Sequence, residues 1–321
     1  MENVLKYPLF ILKELKLITI KWLIFLLSFK KLINYIHNQI MNNPYFFKKL
    51  TFNEGSLDNS IDATYIIHLE GNQQRYENIL YQLTKFVPTK TVYILFNKGM
   101  KYKPSYINTT AKDLVDCYIT IFKHNIENNI LVLEDDFVWL SNINNYHNHI
   151  NDFCYKNNSN FAFYLGTFPF LFIPQSYYIY QGILNIFTHS IIYSKSLQSK
   201  ILDYNYKIIT DWDIFMNTFI TNKYYFYKPL CGQTFMKTEN SKTWYVYNTP
   251  VYDLFFIINN FFYSNIYPEQ LFNFFYLISY IIVIIILFCI YYNKNIIPYI
   301  PYKGFFIPII PYIPYKGFLF L

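Results

Sequence analysis

The chain has 321 residues, a length that suits one catalytic domain with attachments or two small domains. Apolar residues make up 53% and charged residues 15%, which is greasier than an ordinary soluble domain. The net charge of +7 comes from scattered lysines without a basic stripe, which excludes nucleic acid as the expected partner and leaves an anionic membrane surface or a diphosphate.

Residues 1–50 form an apolar, Lys-dotted segment whose greasy core, residues 22–29, is interrupted upstream by Lys13, Glu14, Lys16 and Lys21. A span needs about 20 apolar residues. This core is shorter, so an in-plane amphipathic helix is expected, with a signal anchor or a core-packed helix as the other readings. Residues 51–60 are polar and turn-rich and read as a linker.

A catalytic domain is expected over 61–250. Short β-branched or aromatic runs at 64–68, 91–96, 130–133 and 161–165 read as strands, and helix-period stretches at 75–86 and 111–125 separate the first of them. Strand–helix alternation predicts an α/β fold, a Rossmann-type mixed, mainly parallel sheet with helices on both faces. The run 130–133 has no polar alternation, as expected of a strand covered on both sides.

After a juxtamembrane stretch at 251–269, residues 270–293 contain no charged residue and are long enough for a transmembrane helix. Tyr276 and Tyr280 towards one end, and Tyr291 and Tyr292 at the other, suit the two interfaces. Lys294, Lys303 and Lys316 follow this segment while Asp253 and Glu269 precede it, which puts the tail in the cytosol and the domain in a lumen; the Lys-rich head argues the opposite way. The expected location is a membrane, crossed once near the C-terminus, and an ER or Golgi membrane if the host is eukaryotic. The tail, 294–321, repeats the run Ile297-Pro-Tyr-Ile-Pro-Tyr-Lys-Gly-Phe305 as residues 310–318, either a codon duplication or an extended partner-binding motif. Cys117, Cys154, Cys231 and Cys289 form no C-x-x-C pair, so no disulfide framework or zinc knuckle is implied.

The chemistry-bearing feature is Glu134-Asp135-Asp136, three carboxylates directly after an apolar strand. Ligands of open α/β sheets bind beyond the carboxyl ends of strands. Adjacent acids repel unless something positive is placed among them. A divalent cation, Mn²⁺ or Mg²⁺, bridging a diphosphate would answer that need, and a solvated acidic turn is the plain alternative.

The block Tyr65-Ile-Ile-His-Leu-Glu-Gly-Asn-Gln-Gln-Arg75 resembles the opening of glycosyltransferase family 25, a strand of the form Y-V-I-N-L-D-R followed by an Arg-bearing helix start. Residues 113–136, ending Ile-Leu-Val-Leu-Glu-Asp-Asp, resemble that family's helix leading into I-L-I-L-E-D-D. The likeness covers about residues 62–215; it departs at His68 and Glu70, where the family has Asn and Asp, and in lacking an S-H pair in the connecting helix. The resemblance implies a GT-A-type fold and inverting, metal-dependent transfer of a hexose, galactose or glucose first, from a nucleotide sugar, a UDP-sugar first, to a glycan or protein acceptor. It implies Asp136 as principal metal ligand, with Glu134 and Asp135 beside it.

Arg75 would meet phosphate or base, or is a surface helix charge, and His68 belongs to the same substrate-contacting block. His189 would supply a nitrogen to the metal or touch the acceptor, or is a core histidine. Asp213, or Asp211, is the expected base, with Asp211 equally suited to cap the helix that follows. Trp244 would stack on a sugar or lie in an ordinary loop. The other classes are a catalytically degenerate membrane-anchored transferase-like protein acting as an interaction module, and a metal-dependent phosphotransferase or nuclease using the same acids.

Overall fold

The computed structural model describes residues 28, 30, 31, 43–124, 128–157, 159–234, 250–263 and 267–296. Among these, a nine-stranded sheet carries the fold. Its strands in chain order are β1 (Tyr45–Thr51), β2 (Ala63–Leu69), β3 (Thr91–Asn97), β4 (Ile130–Glu134), β6 (Ala162–Tyr164), β7 (Phe168–Pro174), β8 (Ile179–Ile186), β9 (Ser190–Tyr193) and β10 (Lys223–Phe226), and they lie side by side as β1-β3-β2-β4-β9-β6-β10-β8-β7. β5 (Phe137–Trp139) and β11 (Cys231–Gln233) form a separate antiparallel ribbon.

Parallel neighbours occur at β3-β2-β4 and at β6-β10, and the other pairs are antiparallel, so the sheet is more mixed than the strand–helix alternation implies. Helices cover both faces. On one side α1 (Gln73–Lys85) and α3 (Ile143–Lys156) bury Ile79, Leu83, Ile143 and Ile150. On the other, α2 (Thr110–His124), α4 (Lys195–Leu202) and α5 (Trp212–Phe219) bury Tyr118, Phe122, Leu197, Ile201 and Trp212. β4 shows why its sequence does not alternate: Ile130 and Val132 point into the second core, Leu131 and Leu133 into the first, and all four are fully buried.

Two boundaries differ from the sequence reading. Tyr45–Thr51 is not part of a separate head; it pairs along its whole length with β3 as an edge strand. The stretch 51–60 is not a free linker either, because Ser56 N–H donates to the Val87 carbonyl at 3.0 Å, Leu57 N–H to Pro88 at 2.8 Å, and Leu57 is fully buried. Partners about thirty to fifty residues along the chain, β3 for the first and the loop at Val87 and Pro88 for the second, decide both, and composition carries no sign of them. Apart from residues 28, 30, 31, 43 and 44, the rest of the head lies outside the described residues, as does the tail over 297–321.

The apolar C-terminal segment is one helix, α7 (Pro268–Ile296), preceded by α6 (Pro250–Phe261). By length and composition Pro268–Tyr292 is long and apolar enough to cross a membrane. Its first turns belong to the folded domain: Leu271, Phe272, Phe275 and Tyr276 are buried, and Leu271, Phe272 and Phe275 close a third core with Leu140 under the β5–β11 ribbon. Phe275 stacks on Phe168 at 4.8 Å between ring centroids. The domain therefore runs on past 250 and takes in the start of this helix.

Phe272→Ala is expected to cost the protein about 3–5 kcal/mol, the range for emptying a buried aromatic site. Denaturant unfolding in mild detergent checks this; a loss well under 1 kcal/mol contradicts the docking of α7.

Candidate functional site

The site lies at the carboxyl end of β4. β2 pairs with β3 on one side and with β4 on the other, so the chain reverses its order of advance there and leaves a crevice beyond the strand ends. α1 follows β2 into this region. Asn72 caps it by accepting the Arg75 N–H at 3.2 Å. One face of α1 then reads the backbone after β4: Asn78 Nδ2 donates to the Phe137 carbonyl at 3.0 Å and to that of Asp135 at 3.3 Å, and Gln82 Oε1 accepts the Trp139 N–H at 3.0 Å. From the other side Thr234 N–H donates to the Asp136 carbonyl at 2.9 Å. Bonds to its main chain thus hold the acidic turn from both sides.

The three acids have separate fates. Asp135 is buried and fully engaged: its Oδ2 meets His68 Nδ1 at 2.9 Å and accepts from Leu69 N–H at 3.3 Å, and its Oδ1 accepts from Arg75 Nη1. Asp136 Oδ2 lies 3.5 Å from Arg75 Nη2, while its Oδ1 is buried without a hydrogen-bond partner. Glu134 accepts from the Tyr118 hydroxyl at 3.2 Å, a group that also reaches the Thr188 carbonyl at 3.0 Å. Tyr118 stands on α2 and stacks flat on Trp212 of α5 at 4.4 Å, which ties α5 to the same point.

Electrostatics groups Glu134 and Asp136 with a third acid, Asp213. Burial, followed by the charges of Asp136 and Asp213, pushes Glu134 well above the usual carboxylate range. Burial raises Asp136 to about 7 against the pull of Arg75. Burial and the neighbouring Asp211 raise Asp213 to about 7, opposed by a hydrogen bond from Thr188. Asp213 Oδ1, like Asp136 Oδ1, is buried without a partner. Arg75 stays charged: burial opposes its charge, and Asp136 and Asp135 overcome that.

Several expected roles change on this geometry. Asp135 has no free oxygen for a metal, because Arg75 and His68 already use both. His68 is 2% exposed and braces Asp135, so it does not touch substrate. Arg75 is no loose surface charge, and its guanidinium joins two of the acids instead of waiting for a phosphate. Asp211 caps α5 by accepting the Ile214 N–H at 3.0 Å. His189 is buried, with its ring 5.4 Å from that of Phe272 on α7 and neither ring nitrogen hydrogen-bonded, and burial lowers it to about 3, so it is a neutral imidazole, the form that suits a core residue and a metal ligand alike. Its carbonyl accepts the Glu134 N–H at 2.9 Å. Gly166 makes room there: a Cβ would stand 1.8 Å from the Cys231 carbonyl oxygen and 2.8 Å from His189 Nε2. Trp244 lies outside the described residues.

No known protein-family model matches the chain, and no curated protein matches it.

Among the described residues no group of three or more His, Cys, Asp and Glu side chains is close enough to cage a metal ion. A single carboxylate can hold a hard cation only where other oxygen ligands complete its shell. The carboxylate oxygen left for such a contact is the unpartnered Oδ1 of Asp136, with Glu134 two residues before it. A cleft lined by Lys85, Trp139, Ser141 and Glu269 opens beyond β5 and does not include the acids.

Tyr118, Asn78 and Gln82 are the site residues that sequence reading passes over. Asn78 and Gln82 share a helix face with Arg75, at steps of three and seven, and that spacing is the one signal available for them.

Two outcomes follow. Asp213 holds its proton more tightly in the folded chain, about 7, than at the ordinary value of 3.8, so its stabilisation is complete below about 4 and is lost as the pH rises to about 7. The stability difference between wild type and Asp213→Asn should therefore shift against wild type from pH 4 to pH 7 in thermal melts without added metal; a difference that is flat or moves the other way contradicts the buried acid. Arg75→Met should cost about 3 kcal/mol by leaving Asp135 and Asp136 uncompensated. Arg75→Lys should recover only part of that, since a point charge cannot serve both carboxylates; denaturant unfolding of the two variants reads this.

Proposed function

We propose that the protein is a metal-assisted glycosyltransferase of GT-A type that takes a hexose from a nucleotide-sugar donor, a UDP-sugar first, and passes it with inversion to a glycan or protein hydroxyl. The observation that carries this reading is the pair of buried, unpartnered carboxylate oxygens on Asp136 and Asp213, with Glu134 between them electrostatically, at the carboxyl end of a parallel strand. The likeness of residues 62–215 to glycosyltransferase family 25 supports the same reading.

A divalent cation, when bound, would neutralise the leaving diphosphate. Asp136 would hold it through Oδ1, with Glu134 as a neighbour. Arg75 keeps Asp136 in place and its charge partly balanced before donor arrives. Asp213 Oδ1 would take the proton of the acceptor hydroxyl as that oxygen attacks the sugar carbon, and a pKa of about 7 suits a base working near neutral pH. Asp211 sets the start of α5 and so the position of Asp213. Tyr118, bonded to Glu134 and stacked on Trp212, holds the two halves of the site at fixed separation.

A second reading is favoured by the ion pair between Arg75 and Asp136. That pair already balances the acid without any cation, as in a transferase-like protein kept for binding alone.

Full-length protein in detergent should release UDP from a UDP-hexose in a Mn²⁺- or Mg²⁺-dependent way. Asp136→Ala should abolish the release, Asp213→Asn should lower kcat about 10²–10⁴-fold with little change in donor KM, and Asp211→Ala should cost about 1 kcal/mol of stability through the lost cap with activity retained at low temperature. Donor binding without turnover, unchanged in Asp213→Asn, supports the second reading. Folded protein that binds no nucleotide sugar with metal present contradicts both.

A further inference from the structure

The long helix and the sheet edge against it together make a surface that water does not suit. Residues 284–288 of α7 are all exposed, Ile284, Ile285, Ile286, Leu287 and Phe288, and five successive helical residues point all the way round the axis. A helix apolar on every side has no polar face to leave in solvent once a second chain has docked on one side, so lipid fits it and a partner helix does not. Its free part is short. Val283 still packs on the core, so the free residues 284–292 give about 14 Å of helix, against a hydrocarbon core of about 30 Å. The full stretch Pro268–Tyr292 is 25 residues, about 37 Å. To cross, α7 must therefore take its docked turns into the bilayer as well: Phe275, Tyr276, Ser279 and Tyr280.

Those turns are packed on the sheet. Phe172 meets Tyr280 ring to ring at 5.4 Å, Tyr180 meets it at 6.1 Å, and the Tyr280 hydroxyl donates to the Tyr227 carbonyl at 2.6 Å. Whatever depth α7 reaches, the β7–β8 hairpin goes with it. The composition of that hairpin agrees. No Asp, Glu, Lys or Arg occurs between Lys156 and Lys195. Among the described residues β7 is the last strand of the sheet, with β8 on one side and α7 packed along it, a border where soluble proteins commonly place charge. Here Ile173 is 50% exposed and Ile183 53%. Helix α6, joined to α7 by ring contact of Phe262 with Phe274 at 4.8 Å, adds Ile257 and Phe261.

We infer that the domain does not hang from the membrane on a stalk: the β7–β8 edge and α6 are seated in the bilayer together with α7, and the sheet stands edge-on at the lipid surface. The occupant of this apolar edge is lipid. The acidic site is brought to the surface with it, because Phe272 at the start of α7 lies under Gly232, two residues from Thr234, which bonds the Asp136 carbonyl. The inference rests on the helix and the sheet edge and is independent of the reaction assigned to the acids.

Full-length protein reconstituted in phosphatidylcholine vesicles tests it with a fluorescent thiol label read by two quenchers, a doxyl lipid and aqueous iodide. The exposed native Cys289 reports on α7, while Cys117, Cys154 and Cys231 are buried. In a Cys289→Ser background, Ile183→Cys and Ile257→Cys report on the hairpin and α6. Phe46→Cys reports on the opposite sheet edge, eight strand spacings or about 38 Å away. The labels at 289, 183 and 257 should lose fluorescence to doxyl lipid and not to iodide, and the label at 46 should do the reverse. Quenching of 183 and 257 by iodide alone, with 289 quenched by lipid, overturns the seating in favour of a stalk. Protection of 183 from both quenchers overturns it in favour of a second protein copy on that edge, and iodide quenching at all four positions overturns it together with membrane insertion of α7.

Discussion

The ion pair of Arg75 with Asp135 is the contact on which the acidic site depends. Three carboxylates in a row at the end of a buried strand would repel one another strongly enough to unravel the turn. Arg75, braced by the Asn72 cap and reaching Asp136 as well, absorbs that repulsion, and His68 takes the second oxygen of Asp135. With Asp135 satisfied, Asp136 can keep one oxygen unpartnered and buried, a costly state that ordinary folds avoid. The difference within the triplet, Asp135 tied into the fold and Asp136 left with an unpartnered oxygen, follows from that single guanidinium.

The site also gains rigidity from elements distant in sequence. α1 clamps the backbone of residues 135–139 from one side, and the β5–β11 ribbon holds it from the other. The ribbon in turn rests on the first turns of α7. A contact path therefore leads from a candidate membrane helix through Phe272, Gly232 and Thr234 to Asp136, and the position of the acid is set in part by a segment that composition alone would assign to anchoring.

Much of the centre was legible in the sequence because it is governed by local rules. The unalternating run at 130–133 betrays a strand buried on both faces, and β4 occupies it with Glu134 as its last residue. The periodicity of 75–86 and 111–125 corresponds closely to α1 and α2, and the capping role of Asp211 was readable from its place before an apolar helix. What escaped depends on partners far along the chain. Tyr45–Thr51 carries two adjacent lysines and an irregular burial pattern, so only its pairing with β3 makes it a strand. Arg75 looks like a surface charge until β4 supplies its acids. The burial of His189 is likewise set by Phe272, more than eighty residues later. The docked half of α7 could not be told from its free half, because packing against protein and packing against lipid ask for the same residues.

The central claim is that Asp136 holds a cation only in company with a diphosphate, while Asp135 serves the fold. Electron paramagnetic resonance of free Mn²⁺, titrated with full-length protein in detergent with and without UDP, measures this directly. The account predicts weak Mn²⁺ uptake alone, markedly tighter uptake with UDP, and loss of the UDP-dependent part in Asp136→Asn. Equally tight Mn²⁺ binding without UDP, or binding with UDP that survives Asp136→Asn, would contradict it.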